Sequence, residues 1–304
     1  MAYNSPLALK KGIISTFEGL LQTAPKSVYD QFIEKTSSNT NQEDYWIPST
    51  LPGFVEWVDH ITYSDFEDDK LTVKNKHYQR GFELERDYLS DTRAVLGNNI
   101  EKFIKLLIKK YVAFPDKLVA ALLAANSNAF DKTAFFATSR PNLDTGSNTI
   151  NNLASGTLST AYTTSTFSAD LQTAKNQFNA MKDKDDEPFH DAPKYIALIP
   201  THFEGVAKKV LTAESYIDAG TSQQTSNIYR GDAEIVLNTR QSTSDNDWYL
   251  IDANSDFLPF LIQNRQGVNW HMKDDEENRF IRYWAEFRMG YEFLNPMSIV
   301  KINN

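Results

Sequence analysis

No cysteine occurs among the 304 residues. That excludes disulfides, thiolate nucleophiles, zinc–thiolate sites and iron–sulfur clusters together. Long apolar runs are missing as well: none approaches ~18 residues, so no segment reads as a membrane-spanning helix. The opening MAYNSPLALKKGIISTFEGLL has only a short apolar stretch and no small-residue cleavage pattern behind a basic region, so no signal peptide is expected. The sequence also lacks the glycine-rich phosphate loops G-x-x-x-x-G-K-[ST] and G-x-G-x-x-G, the nucleophile elbow G-x-S-x-G and the zinc motif H-E-x-x-H. Basic charge is in deficit, with 31 Lys and Arg against 40 Asp and Glu and a formal charge of −9. An acidic chain of this kind is a poor general binder of nucleic acid or anionic membrane.

Histidine gives no help to a catalytic or metal assignment. None of His60, His77, His190, His202 and His271 lies three to five residues from another, so no helix face presents two imidazoles to a metal. The acidic run 183–187 fails as a calcium loop, because the sixth position from Asp183, where glycine is needed, is Pro188. Asp274-Asp275-Glu276-Glu277 reads as a solvated acidic turn, or a cation site between subunits. His190 with Asp191 and His202 with Glu204 could be drawn as acid–base pairs, but no nucleophile accompanies either. No catalytic residue, cofactor or metal is expected.

What is present has ordinary globular composition, 41% apolar and 23% charged. Residues 1–44 read as a polar arm, extended or loosely held, that ends in Ser- and Asn-rich sequence. Residues 45–88 are rich in aromatic and β-branched residues and read as a β arm with a turn near 67–70. Charge is segregated along this arm. Asp59, Asp65, Glu67, Asp68 and Asp69 have no base among them, and Lys70, Lys74, Lys76 and Arg80 follow with no acid. The simpler explanation is a solvated hairpin with cross-strand ion pairs; the sharper one is an arm that meets a complementary neighbour. Residues 55–82 hold too few apolar side chains for a core of their own, so the arm is expected to serve assembly rather than folding, and a deletion of 60–78 to leave a folded subunit.

The clearest helix covers 92–125. Leu96, Ile100, Phe103, Ile104, Leu107, Ile108 and Tyr111 form its apolar stripe, and Lys102, Lys105, Lys109 and Lys110 its polar face. Pro115 predicts a bend or break near 111–115. The stretch 126–165 reads as a surface loop with short strands around one apolar island, Phe135-Phe136. Ser168 is placed to cap a helix through Leu171, Ala174, Phe178 and Met181. Tyr195–Pro200 reads as a buried strand, Thr201 and Glu204 as the capping box of a helix through Leu211, and 219–227 as a flexible loop. Residues 234–238 and 248–252 and the C-terminal segments FLPFLIQ, FIRYWAEFRMGYEF and MSIVKI read as strands. The fold class is α+β.

Several of these segments resemble the Mu-like phage major head subunit. They are Tyr45-Trp46, Leu51-Pro52, Glu56-Trp57-Val58, Lys74-Asn75-Lys76, Phe82-Glu83-Leu84 and the run Arg86 to Asp91. Further along come Phe135-Phe136 behind Asp131, the strand end Ile199-Pro200, Asn227 to Gly231, Trp248-Tyr249-Leu250, and Glu286 to Gly290 through Asn295-Pro296-Met297. The order and spacing of these segments over most of 40–304 carry the resemblance. Two departures stand out: the usual Asp-Gly before the Phe-Phe pair is Asp131-Lys132 here, and 145–165 diverges.

The resemblance implies the Hong Kong 97 capsid fold. It would comprise an N-terminal arm (1–50), an extended β-hairpin loop (51–86), a peripheral domain with a long spine helix (87–165, completed by about 262–288) and an α/β axial domain (166–261, completed by about 289–304). It also implies a structural major capsid protein, assembled in the host bacterial cytoplasm and located in the virion. Its partner would be itself, as hexamers and pentamers, with scaffolding, portal and decoration proteins as further partners. The shell would enclose double-stranded DNA without reading its sequence and without touching a membrane. The candidate assembly contacts in the extended loop are Trp57, Asp65, Phe66, Asp68, Asp69, Lys70, Lys74 and Lys76. Alternatives are an encapsulin-like nanocompartment shell of the same fold, a phage tail-tube subunit, which would form helical tubes, and a soluble hydrolase, which the motif search disfavours.

Overall fold

The computed structural model describes residues 15, 17–48, 68–85, 93–141, 149–157, 162–182, 188–190, 192–217, 224–275 and 279–304. In chain order, strands β1 (Ile33–Ser37), β2 (Gln42–Pro48), β3 (Asp68–Lys74) and β4 (Lys76–Glu85) precede helices α1 (Arg93–Val112) and α2 (Phe114–Ala125). Short strands β5 (Arg140–Pro141), β6 (Thr149–Ile150) and β7 (Leu153–Ser155) lead to α3 (Thr164–Ala180), β8 (Tyr195–Pro200) and α4 (Glu204–Leu211). The chain continues through β9 (Ser215–Ile217), β10 (Gln224–Ser226), β11 (Ala233–Asn238), β12 (Trp248–Asp252), β13 (Phe260–Asp275), β14 (Phe280–Phe293) and β15 (Ile299–Asn303).

Two sheets organise these elements. The larger core lies around a five-stranded sheet in the order β11-β8-β12-β15-β7. Its central strands read as unbroken apolar runs because both faces are covered. Along β8, Ile196 and Leu198 pack toward the helix α2 and the Phe135-Phe136 pair, while Ala197 and Ile199 pack toward α3 and α4. β12 alternates the same way, with Tyr249 and Ile251 on one side and Trp248 and Leu250 on the other. The second sheet has four strands in the order β1-β13-β14-β4, built on the long antiparallel hairpin β13–β14. Against it, Ile104 and Ile108 of α1 join Phe17, Ile281 and Tyr283 in a smaller core.

The helical stretch breaks where proline predicts. α1 ends at Val112 and α2 starts at Phe114, with Pro115 in the first turn of α2, where its missing N–H leaves no intrahelical bond unmade. The Ala113 carbonyl at the break accepts a hydrogen bond from Arg240 Nη2 at 2.9 Å. The apolar stripe is narrower than expected, since Phe103 is 49% exposed, with its ring stacked on Phe82 of β4.

Several expectations are corrected. The arm's turn is not at 68–70: those residues belong to β3, which pairs antiparallel with β2 from Gln42↔Lys74 to Pro48↔Asp68, so the connection between the two strands is 49–67, outside the described residues. Residues 1–44 are not merely extended. Tyr29 and Phe32 are buried in the main core, and β1 adds a parallel strand to β13. α3 is capped by Thr163 and Thr166 in a reciprocal box, and Ser168 lies one turn inside, its hydroxyl turned back to the Thr164 carbonyl. Thr201 and Glu204 form no box. Thr201–Phe203 is a 3₁₀ turn, and Glu204 pairs forward with Lys208, a better electrostatic partner one turn on. Within 219–227, β10 pairs with β9.

The loop after α2 shows why the Phe-Phe island stays in place. Asn126 ends α2 in the left-handed region at φ 42°, and its side-chain amide clasps the backbone of Phe136, accepting from its N–H at 2.8 Å. Lys132 also has positive φ, 64°. The departure from Asp-Gly therefore places a lysine where glycine is favoured, at a cost of about 1–2 kcal/mol for the Cβ, partly offset by glycine's extra chain entropy. Lys132→Gly is expected to stabilise the subunit by about 0.5–1 kcal/mol, measured as a small rise in melting temperature.

Candidate assembly surface

The sequence-derived contact residues fall into three groups. Trp57, Asp65 and Phe66 lie outside the described residues. Asp68 and Asp69 begin β3 opposite Pro48 and Ile47. Lys70, Lys74 and Lys76 are described with their side chains and do not form one common surface. Lys70 Nζ sits 2.7 Å from Asp44 Oδ2 on β2, so its charge is used inside the hairpin, by an acid outside the 59–69 run. Lys70 and the Thr72 hydroxyl both donate to Asp44 and hold its carboxyl below the usual range. Lys74 is exposed at the end of β3 and makes no salt bridge to a described residue. Lys76 opens β4 with its ammonium 5.0 Å from the centroid of the Tyr291 ring.

The hairpin β2–β3 is fastened to the body. Leu71 and Val73 are buried with Leu261 and Leu294. Tyr45 donates its hydroxyl to Gln263 Oε1 at 2.7 Å, and the fully buried Gln263 amide donates in turn to the Val73 carbonyl at 3.1 Å. Gly290 makes room for this network: a Cβ there would come within 2.9 Å of Gln263 and Val73 side-chain atoms. Asn75, at the β3–β4 joint, donates to the Ser38 hydroxyl and to the Thr40 carbonyl, each at 2.9 Å. The expected independence of the arm from folding therefore fails for residues 68–78.

A second surface feature escaped sequence reasoning. Where α1 breaks into α2, a groove of about 630 Å³ opens against β4 and β14. Its floor is aromatic: Phe287 lies 5.4 Å from Tyr78, 4.9 Å from Tyr111 and 5.1 Å from Phe114 between ring centroids. Burial pushes the Tyr78 hydroxyl up to about 12. Arg80, Lys109, Lys110, Lys117 and Arg240 also line the groove, and among the described residues no carboxylate does. The lysines of α1 were legible as a polar face. Arg80 and Arg240, remote in sequence, meet them only through the fold.

The histidine pairs resolve as structural. His190 Nδ1 is 2.7 Å from Asp252 Oδ2, both side chains are buried, and Nε2 is 3.2 Å from the Met297 carbonyl. Asp191 lies outside the described residues. His202 bonds Asn246, not Glu204. Burial pushes the Asp252 carboxyl up, but hydrogen bonds from His190 and from the Asn254 and Lys194 backbone N–H groups outweigh it and hold the group below the usual carboxylate range. A carboxyl depressed in the folded state stabilises above its unfolded value, about 4, and loses that contribution as pH falls through the folded value. Asp252→Ala is expected to cost about 3 kcal/mol at pH 7, because it orphans two backbone donors and a buried histidine. The gap from the parent should shrink in melts taken toward pH 3.

Among the described residues no group of three or more His, Asp or Glu could hold a metal ion, and no helix is long and apolar enough to cross a membrane.

Comparison with known proteins fits this geometry. No curated protein matches the chain. The procapsid of bacteriophage JBD30 superposes with a TM-score of 0.56 at 18% identity, covering 100% of this chain and 76% of that one. The capsid of cyanophage P-SCSP1u gives a TM-score of 0.56 at 10% identity, covering 92% and 89%. The capsid of the empty GTA particle gives 0.52 at 12% identity, covering 92% and 91%. At these identities the likeness establishes a shared fold, the phage capsid fold. The family described as Mu-like prophage major head subunit gpT matches residues 7–168, more than half of the 304, and the match falls on the head-subunit expectation rather than on the nanocompartment or tail-tube alternatives. Two sheets of the capsid architecture, a β hairpin anchored at its base and that family match together place this chain in the Mu-like prophage major head subunit family, as a structural major capsid protein.

Proposed function

We propose that this head subunit closes with copies of itself into an icosahedral shell of hexamers and pentamers around double-stranded DNA. Assembly would take place in the host cytoplasm, with the residues that join β2 to β3 as an inter-subunit contact. The observation that carries this is the hairpin's division of labour: Leu71, Val73 and Tyr45 fix its base to the body, while 19 residues, 49–67, continue beyond it. A net charge of −9 keeps the wall from clamping its genome. Many modest contacts per subunit then add up to a stable lattice.

In this proposal α1 and the four-stranded sheet form the peripheral unit, and the five-stranded sheet with α3 and α4 forms the axial unit. The pairing of β7 with β15 supports starting the axial unit near 149 rather than 166. Scaffolding, portal and decoration proteins would meet the assembled shell. Sedimentation velocity of the purified subunit tests self-assembly. Capsomer-sized and far larger particles are the expected species, and a strict monomer at high concentration would refute it.

A further inference from the structure

We infer that the groove at the α1–α2 break is a binding site for a nucleoside polyphosphate, with the base on its aromatic floor and the phosphates on its rim of cations.

Shape is the first ground. The cavity measures about 630 Å³, inside the ~300–1,000 Å³ span of small-molecule sites. Tyr78, Tyr111, Phe114 and Phe287 line it and are each half-buried, so each keeps part of its ring open to the cavity. Phe287 is the centre of this group. Tyr78 stacks on it at an interplanar angle of 27°, while Tyr111 and Phe114 meet it edge-on at 74° and 79°. Such a floor takes a flat ring by stacking, whichever base the ring belongs to.

Charge is the second ground. Arg80 of β4, Lys109 and Lys110 of α1, Lys117 of α2 and Arg240 from the turn after β11 line the cavity, and all five are exposed. Acids outnumber bases by 40 to 31 in this chain, yet none of the five makes a salt bridge to a described residue. Asp116, next to Lys117 in sequence, accepts a hydrogen bond from Ser27 and does not line the groove. Two of the cations are already placed at the floor. Lys117 Nζ lies 5.9 Å from the centroid of the Phe114 ring. Arg240 Nη2 donates to the Ala113 carbonyl at 2.9 Å, which leaves the other donors of its planar fork for a phosphate. Five cations exceed what one phosphate group engages, and this favours a polyphosphate tail.

A nucleotide combines both features in one molecule of this size: a flat aromatic ring and several adjacent negative charges. Other ligands each leave one feature unused. A DNA duplex offers phosphates, but its bases are stacked away from the floor. A simple anion offers charge and no ring. An acidic peptide carries its charges one per side chain, at spacings set by its backbone, rather than on one compact tail. The sequence has no phosphate-cradling G-x-x-x-x-G-K-[ST] loop, so side chains alone would hold the tail here. A bound nucleotide would bridge α1, α2, β4 and the turn after β11, and would therefore raise the melting temperature with ligand concentration.

Isothermal titration calorimetry on the full-length subunit at low salt tests this, with ATP, adenosine and tripolyphosphate as probes. ATP is expected to bind saturably, and at least ~tenfold more tightly than either adenosine or tripolyphosphate, because only ATP uses both floor and rim. Lys109→Gln with Lys110→Gln is expected to weaken ATP at least ~tenfold. Both side chains are exposed, so the double variant should melt like the parent when no ligand is present. Should it fail to fold, the comparison of the three probes on the parent decides by itself.

Absence of saturable ATP binding at millimolar concentration would overturn the inference. Tripolyphosphate binding as tightly as ATP would reduce the site to a patch for bare anions and overturn it too. Unchanged ATP affinity in a folded double variant would put the ligand elsewhere. A short DNA duplex that displaces bound ATP more effectively than GTP does would give the groove to nucleic acid instead.

Discussion

Excising residues 52–65 and bridging the ends with a short Gly/Ser link is expected to leave a folded subunit, its melting temperature within a few degrees of the parent, that forms no closed shells. The excision spares β2 and β3 and every described contact at their base: Leu71 and Val73 against Leu261 and Leu294, and the Tyr45–Gln263–Val73 chain of hydrogen bonds. Shortening the connection changes closure entropy by only about 0.6 kcal/mol per halving of length. Removing 60–78 instead is expected to prevent folding. It deletes β3, takes the first residues from β4, leaves Gln263 buried without its Val73 partner and opens a void beside Leu261 and Leu294. Loss of each buried leucine-sized side chain costs about 2–5 kcal/mol, comparable to a large part of a domain's total stability. Circular dichroism melts and negative-stain images of the two deletions separate the outcomes. A 52–65 deletion that closes into intact shells would contradict the assembly role, and a folded 60–78 deletion would contradict the anchoring.

Arg140→Met is expected to destabilise the subunit by about 3–5 kcal/mol, the cost of breaking a buried pair by removing one partner. The guanidinium is 1% exposed, bonded to Asp131 and to the Ala134 and Phe135 carbonyls at 2.6 and 2.9 Å. It holds the loop that delivers Phe135 onto Phe293, whose ring centroid is 3.8 Å away, at the centre of the main core. Desolvation lowers the Arg140 pKa, and the adjacent Asp131 charge opposes that. Replacing both partners, Arg140→Met with Asp131→Asn, should recover part of the loss, because no uncompensated charge is then left buried. Urea titration measures both. A loss below 1 kcal/mol for the single change would show that the pair is dispensable.

Local chemistry made much of this fold legible. Pro115 marked the helix break because a missing donor and a ring clash act on its own turn. β8 and β12 announced themselves as unbroken apolar runs because both faces of the sheet are covered. β14 was legible in full as FIRYWAEFRMGYEF, but β13 only in its first residues within FLPFLIQ, since its polar continuation to Asp275 carries no apolar run. What stayed hidden depends on contacts between remote residues. β1 looked like a loose polar arm, since its burial is supplied by β13 some 230 residues away. The hairpin turn was misplaced because Glu67 to Lys70 has the polarity of a turn, while the pairing partner, 42–48, lies across an intervening segment. The candidate contacts Lys70, Lys74 and Lys76 were found by charge clustering, yet Lys70 is spoken for by Asp44. The groove's cations come from β4, α1, α2 and the turn after β11, and no sequence window contains them together.

The central claim is that this chain is a shell-forming head subunit, and a cryo-electron microscopic reconstruction of particles assembled from the full-length protein tests it most directly. The account predicts closed icosahedral particles in which hexameric and pentameric rings share one subunit fold. Helical tubes, or a population that remains monomeric at every concentration and salt, would contradict it.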